Sequence, residues 1–234
     1  MQNLTIQELA IVIAVEKIDP TLLTPEFLSM TQIVPSEWEV LGQPMRSYEG
    51  SQITYQQGVS IIAQPQRISF VELIINKDAE SIEVVKIAKS LVKILANLKF
   101  VGIGINFRGY LDFAGQEAAA QRFMFSHLLA IGDWQKIGTA PVQAGINLGY
   151  TFPDKKLNLT INEATVQQPD QSGAPIILFS GNFDYELNAT ENSADLAKLE
   201  QILANWQQDM QLYKDVVEKF KQTDSVINFP AYSA

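Results

Sequence analysis

The chain has no cysteine and a single histidine, His127. The first absence excludes disulfides, thiolate metal sites, iron–sulfur clusters and cysteine nucleophiles. The second leaves multi-histidine metal sites without ligands and obliges any Ser-His-Asp arrangement to use His127. Neither a metal nor a cofactor is expected. A phosphate-cradling lysine loop is also missing. Gly102-Ile103-Gly104 opens like a dinucleotide fingerprint, but the third glycine position holds Phe107 and the segment continues as a strand. Charged residues are scarce, at 18%, and acids outnumber bases by 26 to 17, a formal net charge of −9. Such an excess repels phosphate backbones, so no nucleic-acid partner is expected. Lys86, Lys89 and Lys93 lie opposite the apolar stripe of an expected helix and read as a solvated face.

Long hydrophobic runs are absent as well. The apolar stretch Leu9–Val15 is too short to cross a bilayer, and Glu8 stands where a signal peptide would carry Lys or Arg. A soluble, cytoplasmic protein without a membrane partner is the expectation. What the chain does have is 234 residues, 47% of them hydrophobic. A chain of that length buries roughly three quarters of its unfolded surface without staples.

The hydrophobic period switches repeatedly between strand and helix. Thr5–Ile18 reads as a long strand, and the nearly continuous β-branched residues Ile11, Val12, Ile13 and Val15 predict burial on both faces. Thr24-Pro25-Glu26 predicts an N-cap and a short helix through Met30. A loop-rich stretch follows. Strands are expected over Ile53–Ala63 and Arg67–Ile75, then a helix from Ser81 whose apolar residues run from Val84 to Leu98. Phe100–Phe113 reads as a strand, Gln116–Ile131 as a helix, and Val142–Phe152 as an alternating strand that turns at Pro153-Asp154-Lys155 into Leu157, Leu159 and Ile161. A loop at Pro169–Pro175, a strand over Ile176–Leu187 and a helix over Ala194–Gln222 complete the chain. The fold class is α+β, a largely antiparallel sheet with helices on one side. The repeated order suggests one domain built from two similar β-α-β-β-(β)-α halves, 1–98 and 99–234.

Candidate sites come from the polar phase of the strands and the odd residues of the helices. Asp184 and Glu186 alternate on one strand face, about 7 Å apart. With His127 and Arg108, and Asp112 or Asp133 to orient the imidazole, they could serve a hydrolase acting on a small polar substrate. Arg108 and Asp112 could instead pair with each other. Asn106, Asn147 and Asn182, with Gly145, Gly149 and Gly181 among them, make an amide-rich face suited to a neutral polar ligand or a peptide. The last helix carries a heptad seam including Trp206 and Tyr213, and Phe125 and Leu129 lie opposite the apolar side of the helix before it. Those four residues are the expected interface of a homo-oligomer. The leading expectation is a non-catalytic binding or interaction protein, with the hydrolase as the alternative.

Overall fold

A computed structural model describes residues 3–113, 117–140, 142–167, 173–187 and 192–221. Among these residues, nine strands form one antiparallel sheet and five α-helices accompany it, an α+β fold. The strands are β1 (Leu4–Val15), β2 (Met45–Arg46), β3 (Ser51–Thr54), β4 (Val59–Gln64), β5 (Arg67–Leu73), β6 (Phe100–Asp112), β7 (Gly145–Thr151), β8 (Lys156–Gln167) and β9 (Gly173–Glu186). The helices are α1 (Pro25–Met30), α2 (Val84–Ile94), α3 (Glu117–Arg122), α4 (Asn192–Ala204) and α5 (Trp206–Lys221). Across the sheet the order is β2-β3-β4-β5-β1-β6-β9-β8-β7. Outward from the central β1–β6 pair, the strands therefore run β5, β4, β3 on one side and β9, β8, β7 on the other.

One face carries the core. Leu9, Ile11, Ile13 and Val15 of β1 are buried there beside Ile103, Ile105 and Phe107 of β6. The helices pack on that face, α2 on β1 and β5, and α5 on β1, β6 and β9. The other face of β1 is only half-covered and carries Ala10, Val12 and Ala14. The double burial expected for this strand is thus single burial, with small residues on the open side. The expected strand Ile53–Ala63 is a hairpin of β3 and β4, turned by Gly58 at φ +82°, a left-handed conformation that glycine adopts freely. Val101 falls on the same alternation phase as Ile103. A register shift opposite Ala14 and Val15 leaves it 45% exposed. The terminal helix is broken at Asn205 into α4 and α5. The helix expected to reach Ile131 widens into a π-helix over Phe123–Leu128 and stops, leaving Ile131 75% exposed. The expected helix start at Gln116, most of the loop after Pro169 and the helix end at Gln222 lie outside the described residues.

Two devices lock the helices to the sheet. The first is Glu72, which falls on the inward phase of β5 after Ile68 and Phe70. Glu83 makes no side-chain cap for α2. Glu72 supplies one from the sheet: its Oε2 accepts the backbone N–H groups of Glu83 at 2.8 Å and Val84 at 2.7 Å, and its Oε1 takes the Lys77 ammonium at 2.7 Å. A fully buried carboxylate is tolerated because a helix N-terminus and a lysine both answer its charge. The second is Tyr213 of α5, wholly buried, whose hydroxyl donates to the Phe179 carbonyl at 2.9 Å. Glycines make room for its ring. A Cβ at Gly181 would stand 2.8 Å from the ring and one at Gly109 would stand 3.0 Å from its hydroxyl.

Two substitutions test these locks in urea unfolding. Glu72→Ala orphans the buried N–H of Val84 and the half-buried one of Glu83 and removes a cap, and is expected to lower the unfolding free energy by about 3 kcal/mol. Gly181→Ala forces the Tyr213 ring out of place and is expected to cost about 2 kcal/mol.

Candidate functional site

The open face of the sheet is organised in rows set by strand register. One row reads Val71, Ala10, Asn106, Asn182, Asn158, Gly149. Three adjacent strands thus bring three amides side by side, two of them the expected ligand residues Asn106 and Asn182. Asn106 is partly committed, since its Nδ2 donates to the Ala10 carbonyl at 3.1 Å. Asn147 belongs to the next row, beside Thr160, whose hydroxyl donates to its Oδ1 at 2.8 Å. Gly104 sits between the amides of Asn106 and Asn182, so the space that a side chain would fill is already bordered by polar atoms. Gly181 does not share this face. It is buried on the helix side, where it accommodates Tyr213.

The residues expected to form a hydrolase site are not brought together. Arg108 lies opposite Ser180, with its Nη1 3.9 Å from Glu8 Oε2. That places it four residues along β9 from Asp184 and six from Glu186, about 13 and 20 Å. Asp112 is further still, opposite Ile176, and Arg108 pairs with Glu8 on β1. His127 is on the helix side of the sheet. Its Nε2 lies 2.6 Å from the Phe220 carbonyl and its ring packs 5.3 Å from that of Phe123. The four residues expected at an interface are mostly used within the chain. Tyr213, Trp206 and Phe125 are buried, and Leu129 packs half-buried against the core.

Asp184 and Glu186 line a cleft of about 260 Å³ at one corner of the sheet, with Lys155, Lys156 and Lys198. Glu186 is held by Lys156 at 3.4 Å, and its carbonyl accepts from Lys198 at 2.8 Å. Behind this cleft, Lys155 reaches inward from the β7–β8 turn to Asp209 of α5 at 2.7 Å. The Tyr185 hydroxyl donates to both Asp209 oxygens, at 2.9 and 2.8 Å. Burial first, then the adjacent carboxylate, pushes the Tyr185 phenol well above its usual range. This cluster clamps α5 to the sheet corner.

A half-buried acid on an inward strand phase was not singled out by the sequence. Glu163 continues the inward phase of β8 after Leu157, Leu159 and Ile161, opposite Ile177. Its Oε1 is buried with no hydrogen-bond partner. Burial raises its pKa above the ordinary glutamate value. It lines a cleft of about 630 Å³, walled by Ala120, Val142, Ala164 and Ile176 and fringed by Gln121 and Gln143. The signal was present in the sequence, because an acid breaks the apolar phase of a strand there. Among the described residues no group of three or more His, Asp or Glu side chains is arranged to hold a metal ion. Comparison of the chain with protein-family models and with curated proteins finds no match. No described helix is long and apolar enough to cross a membrane.

A carboxyl with a raised folded-state pKa contributes stability that is fully present below its unfolded pKa. That stability is lost as pH rises through the folded value. Glu163→Gln is therefore expected to raise the melting temperature at about pH 7, with the gain vanishing by about pH 3, where the carboxyl is protonated in the folded and the unfolded chain alike. Thermal scans at the two pH values check this.

Proposed function

We propose that the protein is a non-catalytic interaction protein of the cytoplasm that works as a homo-oligomer, joined through the edge of β7, the last strand of the sheet among the described residues. The observation that carries this reading is the character of that edge. The opposite edge is β2, two residues long, preceded by Pro44 and ending in Arg46. Short, charged or proline-flanked edges resist pairing. β7 is seven residues long and contains no charge and no proline. Its inward side chains Ile146, Leu148 and Tyr150 are only half-buried, although their register partners Ile161, Leu159 and Leu157 are buried.

The sequence of β7 is also complementary to itself. An antiparallel pair centred on Leu148 sets Leu148 opposite its copy, Ile146 opposite Tyr150, and Asn147 opposite Gly149. Apolar side chains then meet on the inward face, where such cross-strand pairs each contribute about 0.2–1 kcal/mol. On the outer face Asn147 meets a glycine that has nothing within 4 Å of its missing side chain. The amide rows beside this edge would be extended by the pairing, which suits a neutral polar peptide strand as an alternative occupant. The hydrolase alternative draws only on the corner cleft, which holds Asp184 and Glu186 without His127 or Arg108.

Analytical ultracentrifugation of the full chain tests the reading with two charge-bearing variants, Asn147→Lys/Gly149→Lys and Asn147→Glu/Gly149→Glu. The wild type is expected to dimerise, each variant to be monomeric, and an equimolar mixture of the two variants to recover the dimer. A wild-type monomer at high concentration overturns self-association. A dimer indifferent to both variants overturns the role of β7.

A further inference from the structure

We infer that the groove along α3 and the π-helical turn over Phe123–Leu128 is a binding site for a small aromatic carboxylate. The groove lies on the helix side of the sheet, and the inference does not rest on the β7 reading. Two rows of side chains meet there. Ala119, Phe123 and His127 recur four residues apart, and so do Arg122 and Ser126, so each row runs along one side of the helical stretch. The first row is apolar and aromatic, and Phe113, just after β6, adjoins it from the sheet. The second row offers a guanidinium and a hydroxyl. Arg122 and Ser126 are both exposed, and neither has a hydrogen bond or ion pair with another described residue. A π-helical turn is a rare departure from α geometry that recurs at functional sites, and here it carries Ser126 and His127 to the groove.

Charge selects the anion. The chain has 26 acids against 17 bases, yet no acid is among the described residues lining the groove. Lys221 also borders it, but its side chain is 13% exposed and its ammonium is taken by Glu218, so Arg122 is the anchoring charge. A guanidinium holds a planar carboxylate through two parallel hydrogen bonds, and the Ser126 hydroxyl is placed to add another. The ring of the ligand has partners too. Phe123 is half-buried, with its ring 5.9 Å from that of Phe113 and 5.3 Å from that of His127. His127 is fixed in place, because its Nε2 lies 2.6 Å from the Phe220 carbonyl. A flat aromatic body laid in the groove extends this cluster, and ring–ring contacts add to simple burial. The volume, about 350 Å³, is in the range of small-molecule sites.

The probes are 2-naphthoate and its neutral counterpart 2-naphthamide, titrated into the full chain and followed by protein-observed NMR. Naphthoate is expected to bind with a Kd of about 1 mM, ordinary for an unoptimised ligand of that size. Naphthamide is expected to bind roughly tenfold more weakly, the margin between a charge-assisted and a neutral hydrogen bond. The shifts should centre on the amides of Phe123, Ser126 and His127. Arg122→Gln is expected to abolish the preference and leave naphthamide binding unchanged, while Lys93→Gln, at an exposed site on α2, keeps the preference. A net charge of −9 repels anions, so the charge of the whole chain does not supply the preference. Equal affinity for the two probes, shifts absent from the groove, or a preference that survives Arg122→Gln would each overturn the assignment.

Discussion

Everything in this fold hangs on the antiparallel pairing of β1 with β6, two long strands that meet at the middle of the sheet. Their helix-side residues, Leu9, Ile11 and Ile13 against Phe107, Ile105 and Ile103, are the centre of the core. Each of the two strands has its second edge taken by the last strand of its own part of the chain, β5 beside β1 and β9 beside β6. The remaining strands can then only add outward. Because the helices lie over the central strands, cover is densest at β1 and β6 and thins towards β7. One-sided cover and an incompletely shielded edge are thus consequences of the same central pairing.

The buried acids show how a one-sided sheet deals with polar groups on its inward phase. Glu72 sits where a helix begins, and the positive end of α2 with Lys77 completes it. Asp209 comes from the helix layer instead, and the sheet corner supplies a lysine and a tyrosine. Both acids join a helix to the sheet, so their desolvation is offset by interactions that also fix tertiary geometry. Glu163 joins nothing. Its Oε1 is enclosed without a hydrogen-bond partner and ties no helix to the sheet, which separates it in kind from the other two.

Periodicity made the long elements legible. The alternation of β6, β8 and β9 and the helical spacing of Val84 to Leu91 specify element and buried face together, because burial on one face imposes a period of 2 or 3.6. Breaks in those elements were less visible. The hairpin between β3 and β4 turns on one glycine in a weakly marked stretch, and Asn205 interrupts α4 and α5 without disturbing their apolar stripe. The heptad seam of Trp206 and Tyr213 read first as a contact with the chain's own sheet and second as an interface. The deciding information was nonlocal: the glycines on β6 and β9 that receive Tyr213 are distant in sequence. The amide row of Asn106, Asn182 and Asn158 needed the register of three strands, which no single strand encodes.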